Sequence, residues 1–427
     1  MTSEQKKAIW SAVGVLICFC AVGTGAVMRD RLEMGSNADQ IDISNLVASN
    51  SQSQAVPETK FYEDILELLK RKYVEPITDE RKLADGSVRA MVGSLGDPNS
   101  LYMDKDQFRV YSQAREGHFE GIGALMVLDN GGGGAKVQTS GDQDEALSGQ
   151  IKLPKLVVAS VIPGSSADKA GVKPGDWVEF VDDHWIPNSE ALEEFLKLQN
   201  EVLGGKASPE KSSAYMKLRD KLRDESDKSL LPLKGRDLLM MGTTGRVKIR
   251  WARGTDRIET TLDKGEWKAL GVRMVDGMIR LPLYTGAADD LAKLLENQRE
   301  VTLDLRGVAS DDDGTMIKCL SLLVKSGTYG EFATQKKESP LPLTIKDGNS
   351  HPPKVRIIVD KYTRGMPEVM TAVLASQGAQ VVGDGMADQP YLIRWFKLDS
   401  GAGYTLVTGE YTPSGAAGKV AAKEAVK

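Results

Sequence analysis

The chain has 427 residues, 41% of them hydrophobic, and 55 Lys and Arg stand against 60 Asp and Glu for a formal charge of −5. That length allows roughly three domains of ~150 residues each, and the charge balance excludes a strongly basic nucleic-acid-binding chain. Three cysteines exclude a disulfide framework, and three scattered histidines offer no metal-ligand spacing, so neither a metal nor a cofactor is expected.

Residues 8–28 carry no charge and are mostly apolar, about the ~20 residues that a helix needs to cross a bilayer. Lys6 and Lys7 precede the run, and Arg29 and Arg31 follow it, which favours an inside N-terminus only marginally. An uncleaved signal anchor is the preferred reading. A cleaved signal peptide stays open, with Thr24-Gly25-Ala26 as its small-x-small site. Both readings export the rest of the chain: a single-pass protein of the cytoplasmic (inner) membrane if anchored, a secreted one if cleaved. Residues 29–60, rich in Ser, Gln and Asn from position 44, read as a polar linker.

Residues 61–117 form a helical region. Phe61, Ile65 and Leu69 recur at i, i+4 and i+8, the face of an amphipathic helix, and further helices are expected over 81–95 and 107–115. From Phe119 the pattern turns to short apolar strands broken by glycine: GIGALMVL, KLVVASVI, WVEFV and VKIRWA, with one short helix at 165–170. Together these make a β domain over 118–265. Its stretch 189–235 is charged and helix-favouring, an insertion of solvated helix faces. Over 266–413 strands alternate with helices: VTLDLRG, a helix over 315–324, KVRIIVD, a helix over 368–376, then AQVVGDG. Such alternation predicts βαβ units and a mixed sheet covered by helices. Residues 414–427, rich in Ala and Lys, read as a frayed tail.

YVEPITDERKLADGSVRAMVGSLGDPNSLYMD, then EGIGALMVL with VIPGSSADKAGVKPGDWVEFVDDHWI, then MIRLPLY, VTLDLRG, VRIIVD, QVVGDG and EYTPSG occur in one order. In that order the chain resembles the C-terminal processing (tail-specific) serine peptidases. The resemblance spans about residues 61–415, with 189–235 inserted. It implies a crotonase-like α/β peptidase core with an embedded PDZ domain that receives a substrate's C-terminal tail, in a fold that is mixed α+β overall. The glycine loop Gly121-Ile122-Gly123-Ala124 would turn backbone N–H groups toward a terminal carboxylate, and Leu125 and Met126 would begin the strand onto which the tail adds.

Active members of that family use a Ser–Lys dyad, in which a partly desolvated lysine takes the serine's proton. Anchoring on Glu368 puts Gly365 at the nucleophile position, and anchoring on Val382-Gly383 puts Gln389 at the lysine position. Glycine has no nucleophile, and an amide is no base near neutral pH. The family's Asn-Asn-Pro-Gly-Gly-like oxyanion loop follows Asp-Leu-Arg; here Asp304-Leu305-Arg306 leads instead into Gly307-Val308-Ala309-Ser310-Asp311-Asp312-Asp313. Three aspartates, beginning beside Ser310 at Asp311, would oppose a developing negative charge. Thr363, Ser310 and the Ser321/Lys325 pair are the candidates for a displaced nucleophile, each with a structural role as its alternative, and the aspartate run reads as a solvated loop with a cation site as its alternative. No catalytic or metal residue is expected. The reading that results is an exported, membrane-anchored, proteolytically inactive homologue. It would bind peptide or protein C-terminal tails as scaffold, adaptor or regulator, beside an active peptidase homologue or through self-association. The alternative is an active serine endopeptidase with displaced catalytic residues.

Overall fold

Two strand patterns in the sequence build two kinds of sheet. In the computed structural model, which describes residues 58–129, 154–205, 208–335 and 339–414, the chain divides into residues 1–80 and residues 81–427. The apolar run 8–28, the linker 29–57 and the tail beyond residue 414 lie outside the described residues. No helix among the described residues is long and apolar enough to cross a membrane.

In the first unit the helix Glu58–Lys72 forms as the i, i+4 spacing requires. Its apolar face is solvent-exposed rather than buried: Phe61, Ile65 and Leu69 are 52%, 40% and 41% exposed.

The second unit holds everything else. The strands Glu300–Asp304, Lys354–Val359 and Gln380–Gly383 pair in parallel, with Met278–Arg280 parallel on one side and Arg273–Val275 antiparallel at the edge. Each carries a short β-branched or aliphatic core, such as Val301 and Leu303 or Ile357, Ile358 and Val359, that marks it as a strand. Helices Ala287–Leu295, Asp313–Leu323 and Met366–Ser376 share one core with this sheet, through Leu291, Met316, Leu320, Val369 and Val373. A second sheet joins the same core through Phe332, Leu343, Leu392 and Tyr411. It is antiparallel and made of Tyr102–Met103, Gly403–Pro413, Gly327–Ala333, Leu341–Ile345 and Tyr391–Lys397.

That second sheet corrects two expectations. The alternation of strand and helix alone did not announce it. It also draws part of the expected helical region 61–117 into the core, since Tyr102 pairs with Tyr404 and Met103 with Gly403. The helix predicted over 107–115 spans Lys105–Arg115, opened by a capping box in which Asp104 and Gln107 each accept the other's amide at 2.9 Å.

The β domain is a six-stranded antiparallel sheet ordered Ala124–Asp129, Lys155–Val161, Trp177–Val181, Arg246–Arg253, Asp256–Asp263, with His184–Trp185 paired to Trp177–Val181. Ile122, Leu156, Val158, Val178, Ile249 and Trp251 fill its core. The insertion is shorter than 189–235. Helices Ser189–Leu203 and Pro209–Ser226 pack on each other through Phe195 and Tyr215, stacked at 5.4 Å. The next helix, Pro232–Met240, instead seats Leu239 and Met240 in the β-domain core.

Asp176, 1% exposed, receives two bonds from the Arg253 guanidinium at 2.6 Å and one from the Lys173 amide at 2.8 Å. Truncating one partner of such a pair leaves the other charge short of partners. Asp176→Ala is therefore expected to destabilise the β domain by roughly 2 kcal/mol. Urea unfolding followed by tryptophan fluorescence should show a lower midpoint, and an unchanged midpoint would show that the pair contributes no net stability.

Candidate functional site

The helix Met366–Ser376 begins where the chain leaves a short parallel pairing of Arg364–Gly365 with Ala309–Ser310. Gly365 sits there at φ +74°, and a Cβ on it would overlap the Ser310 carbonyl oxygen. Only glycine takes this turn without strain. Glu368, in the first turn and 4% exposed, reaches back and accepts the Gly365 amide at 3.2 Å. The same carboxylate oxygen accepts the Gln389 amide at 3.0 Å. The structure thus brings the two aligned positions together, and it does so through Glu368, which the sequence reading used only as an anchor. Burial pushes the Glu368 carboxyl up to about 7, while the amides of Gln389 and Gly365 and the Arg364 charge pull the other way.

The loop at 307–313 is more committed than its composition implies. The Gly307 amide donates to Asp360 at 2.9 Å, Val308 to the Leu305 carbonyl at 3.1 Å, Asp312 to Ser310 Oγ at 3.2 Å and Asp313 to the Asp311 carbonyl at 3.2 Å. These four amides are not aimed at an oxyanion. Nor is the aspartate run a solvated loop: Asp311 pairs with Arg115 at 2.7 Å and accepts the Trp395 indole N–H. Asp312 caps the following helix by accepting from the Thr315 amide at 3.0 Å, and Asp313 pairs with Arg394 at 2.9 Å. Two of the three charges are answered, so the repulsion expected at this loop is smaller than a count of carboxylates suggests. Among the described residues no group of three or more His, Cys, Asp or Glu is placed to hold a metal ion.

The displaced candidates serve the fold. Thr363 is fully buried and donates to the Leu305 carbonyl at 3.0 Å. Ser310 donates to the Leu283 carbonyl at 3.2 Å, and Ser321 to the Lys318 carbonyl at 2.7 Å on an exposed helix face.

Gly365, Gln389, Ser310 and Asp311 line one cavity of about 350 Å³. Its opposite wall is Leu125–Leu128 and Ser160–Pro163 of the β domain, so the strand expected to take a peptide and the aligned catalytic positions open on the same space. Among the described residues no lysine or histidine lines it. Arginines do: Arg115, Arg236, Arg273, Arg280 and Arg364. Sequence reasoning missed these, because they come from separate helices and strands at no regular spacing.

Within the glycine loop, the expected cradle is narrower than four amides. Gly121 donates to the Gly242 carbonyl at 2.9 Å and Ile122 to the Leu239 carbonyl at 3.0 Å, at the end of the Pro232–Met240 helix. Ile122 and Ala124 side chains are buried in the β-domain core, and the Gly123 carbonyl accepts the Ile162 amide at 2.9 Å. Leu125 and Met126 reach the cavity.

Since the Glu368 carboxyl stands higher in the folded chain than its ordinary 4.5, folding takes up a proton between the two values. Its contribution is fully present below about 4.5 and is lost as pH rises through about 7. Glu368→Gln keeps an acceptor and removes the charge, so it should match the parent near pH 5 and exceed it by on the order of 2–3 kcal/mol near pH 8.5. Urea denaturation of both proteins across that range checks this, and parallel pH profiles would refute it.

The family model described as the activating protease CtpB N-terminal domain matches residues 18–107. The carboxy-terminal processing protease CtpB of Bacillus subtilis (strain 168) is 27% identical over 337 residues, covering 75% of this chain and 57% of that protein. The chain therefore spans little more than half the length of that relative. CtpA of the same organism is 32% identical over 153 residues, 36% of this chain and 27% of that protein. Among solved structures, the photosystem II D1 C-terminal processing protease superposes with a TM-score of 0.51 at 14% identity, over 84% of this chain and 89% of that one. That likeness shows a shared fold. The sequence matches, the shared fold and the mixed α/β architecture together support a resemblance to the C-terminal processing peptidases.

Proposed function

We propose that this chain is a non-hydrolysing member of its family, which holds a peptide segment in the cavity between its β domain and its α/β core. The observation that carries the reading is the meeting of Gly365 and Gln389 in the lining of that cavity, with no lysine or histidine among its described lining residues. Acyl transfer needs a nucleophile, a base within hydrogen-bond reach and donors for the oxyanion. Gly365 supplies no nucleophile, Gln389 supplies no base, and four amides of the oxyanion-side loop are already bonded. The β domain is read as a PDZ domain, its Ala124–Asp129 strand lying at a sheet end as β-strand addition requires. Export, with residues 8–28 as a membrane anchor, completes the reading and rests on the uncharged length of that run. The protein would act as scaffold, adaptor or regulator for tails that another peptidase cuts.

The purified chain should neither turn over unfolded or tail-bearing substrates nor become labelled by a fluorophosphonate. Gly365→Ser with Gln389→Lys should not restore labelling. The added Cβ strains φ and meets the Ser310 carbonyl, so the pair should also cost roughly 1–3 kcal/mol of stability. Cleavage by the unmodified chain, abolished by one Ser or Thr substitution within it, would establish the active endopeptidase instead.

A further inference from the structure

The cavity beside Gly365 holds more guanidinium than its own carboxylates answer. Among its lining residues are five arginines and one aspartate, Asp311. Three of the arginines have an acidic neighbour: Arg115 lies 2.7 Å from Asp311, Arg236 3.7 Å from Asp237 and Arg280 3.1 Å from Asp304. Even these carboxylates are shared. Asp304 also takes both bonds of Arg306 at 2.9 Å, and Asp237 accepts from Tyr111 and Gln107 at 2.6 Å.

Arg273 and Arg364 have no carboxylate within ion-pair distance among the described residues. Arg273 donates only to the carbonyls of Leu270 and Gly271, at 3.5 and 3.2 Å, and has Arg280 as a charged neighbour. Arg364 reaches the Leu128 carbonyl at 3.4 Å, and its buried Nε finds no partner. Burial pulls both guanidinium groups down from their ordinary value, and at Arg364 the charges of Asp129, Glu368 and Asp360 offset only part of that; arginine does not give up its proton in a protein, so the remaining desolvation cost stands until a further anion offsets it.

A second feature says what kind of anion. The carbonyl that Arg364 touches belongs to the Ala124–Asp129 strand at the end of the six-stranded sheet, and Leu125–Leu128 of that strand line the same cavity. At 3.4 Å the contact is a weak bond that an incoming backbone amide can replace. A peptide added there would free Arg364 and put its own side chains against the arginines.

Resting on the peptide-binding reading above, we propose that the cavity selects an acidic peptide segment, laid along Ala124–Asp129 with Asp or Glu carboxylates on Arg364 and Arg273. Both arginines are binding residues. Guanidinium–carboxylate pairs in a partly desolvated cavity are the strong class of such contacts and give selectivity over neutral side chains.

Fluorescence anisotropy of the full chain with two labelled peptides of about ten residues tests this. The peptides share a free C-terminus and differ only in Asp and Glu against Asn and Gln. The acidic peptide should bind at least ~10-fold more tightly, with an advantage that shrinks as salt rises. Arg364→Gln and Arg273→Gln should each cut the ratio of acidic to neutral peptide affinity by at least about threefold. Arg273 lies near the surface of its strand, so its variant keeps the test available if Arg364→Gln does not fold. Equal affinity for the two peptides would overturn the acidic selection and leave peptide binding standing. Binding of neither would overturn both. Displacement of the acidic peptide by inorganic phosphate at equal concentration would reassign the arginines to a small anion and overturn the added strand.

Discussion

A buried carboxylate, Glu368, ties the start of one helix to the loop that ends at Gln389, and the shape of the cavity follows from that tie. It accepts the amides of Gly365 and Gln389 on one oxygen, so the two segments cannot separate without leaving buried N–H groups unpaired. The helix itself can start there only because Gly365 turns through positive φ against the Ser310 carbonyl. A side chain at that position is excluded by the same contact that joins the Arg364–Gly365 segment to Ala309–Ser310. The site is therefore built around its glycine rather than merely lacking a serine.

Around this centre the carboxylates and the arginines are unevenly distributed. On the loop at 307–313 the carboxylates are spent on Arg115, Arg394 and a helix cap. On the opposite side the arginines outnumber what remains to neutralise them. A hydrolytic site needs a group that exchanges protons near neutral pH. The one carboxyl at the centre pushed toward neutrality, Glu368, is buried and takes its bonds from backbone amides, which suits it to fixing two segments rather than to relaying a proton. Cys319, a nucleophile by type, is fully buried, and burial together with Asp312 pushes its thiol up to about 12.

The β domain is coupled to this centre by short-range packing. Its end strand forms one wall of the cavity, Arg364 reaches across to the Leu128 carbonyl, and the glycine loop is closed onto the Pro232–Met240 helix by the Gly121 and Ile122 amides. A ligand that adds to the strand must therefore compete with a contact made by the residue next to Gly365. Arg364 thus joins the two halves of the cavity, beside the packing of Tyr362 on Val127, Val157 and Ala159.

Much of the fold was legible in the residues because local pattern dictates local structure. The runs at Glu300–Asp304 and Lys354–Val359 had to be buried strands, and Asp104 with Gln107 or Ser165 before its helix stop and start the chain through their own side chains. The absence of serine at 365 and lysine at 389 was equally plain. The second sheet was not, since Gly327–Ala333 and Tyr391–Lys397 alternate weakly and acquire their partners from distant segments such as Tyr102–Met103 and Gly403–Pro413. Nor was the exposure of Phe61, Ile65 and Leu69, because periodicity names an apolar face without naming what covers it. The sequence by itself determined which side chains stand at 365 and 389, since side-chain identity at a position is a local fact. Only the tertiary structure decided what surrounds them. Glu368 joins Gly365 to Gln389, and arginines from five separate segments converge on one cavity, because proximity between residues far apart in the chain is set by packing and leaves no periodic trace in the sequence.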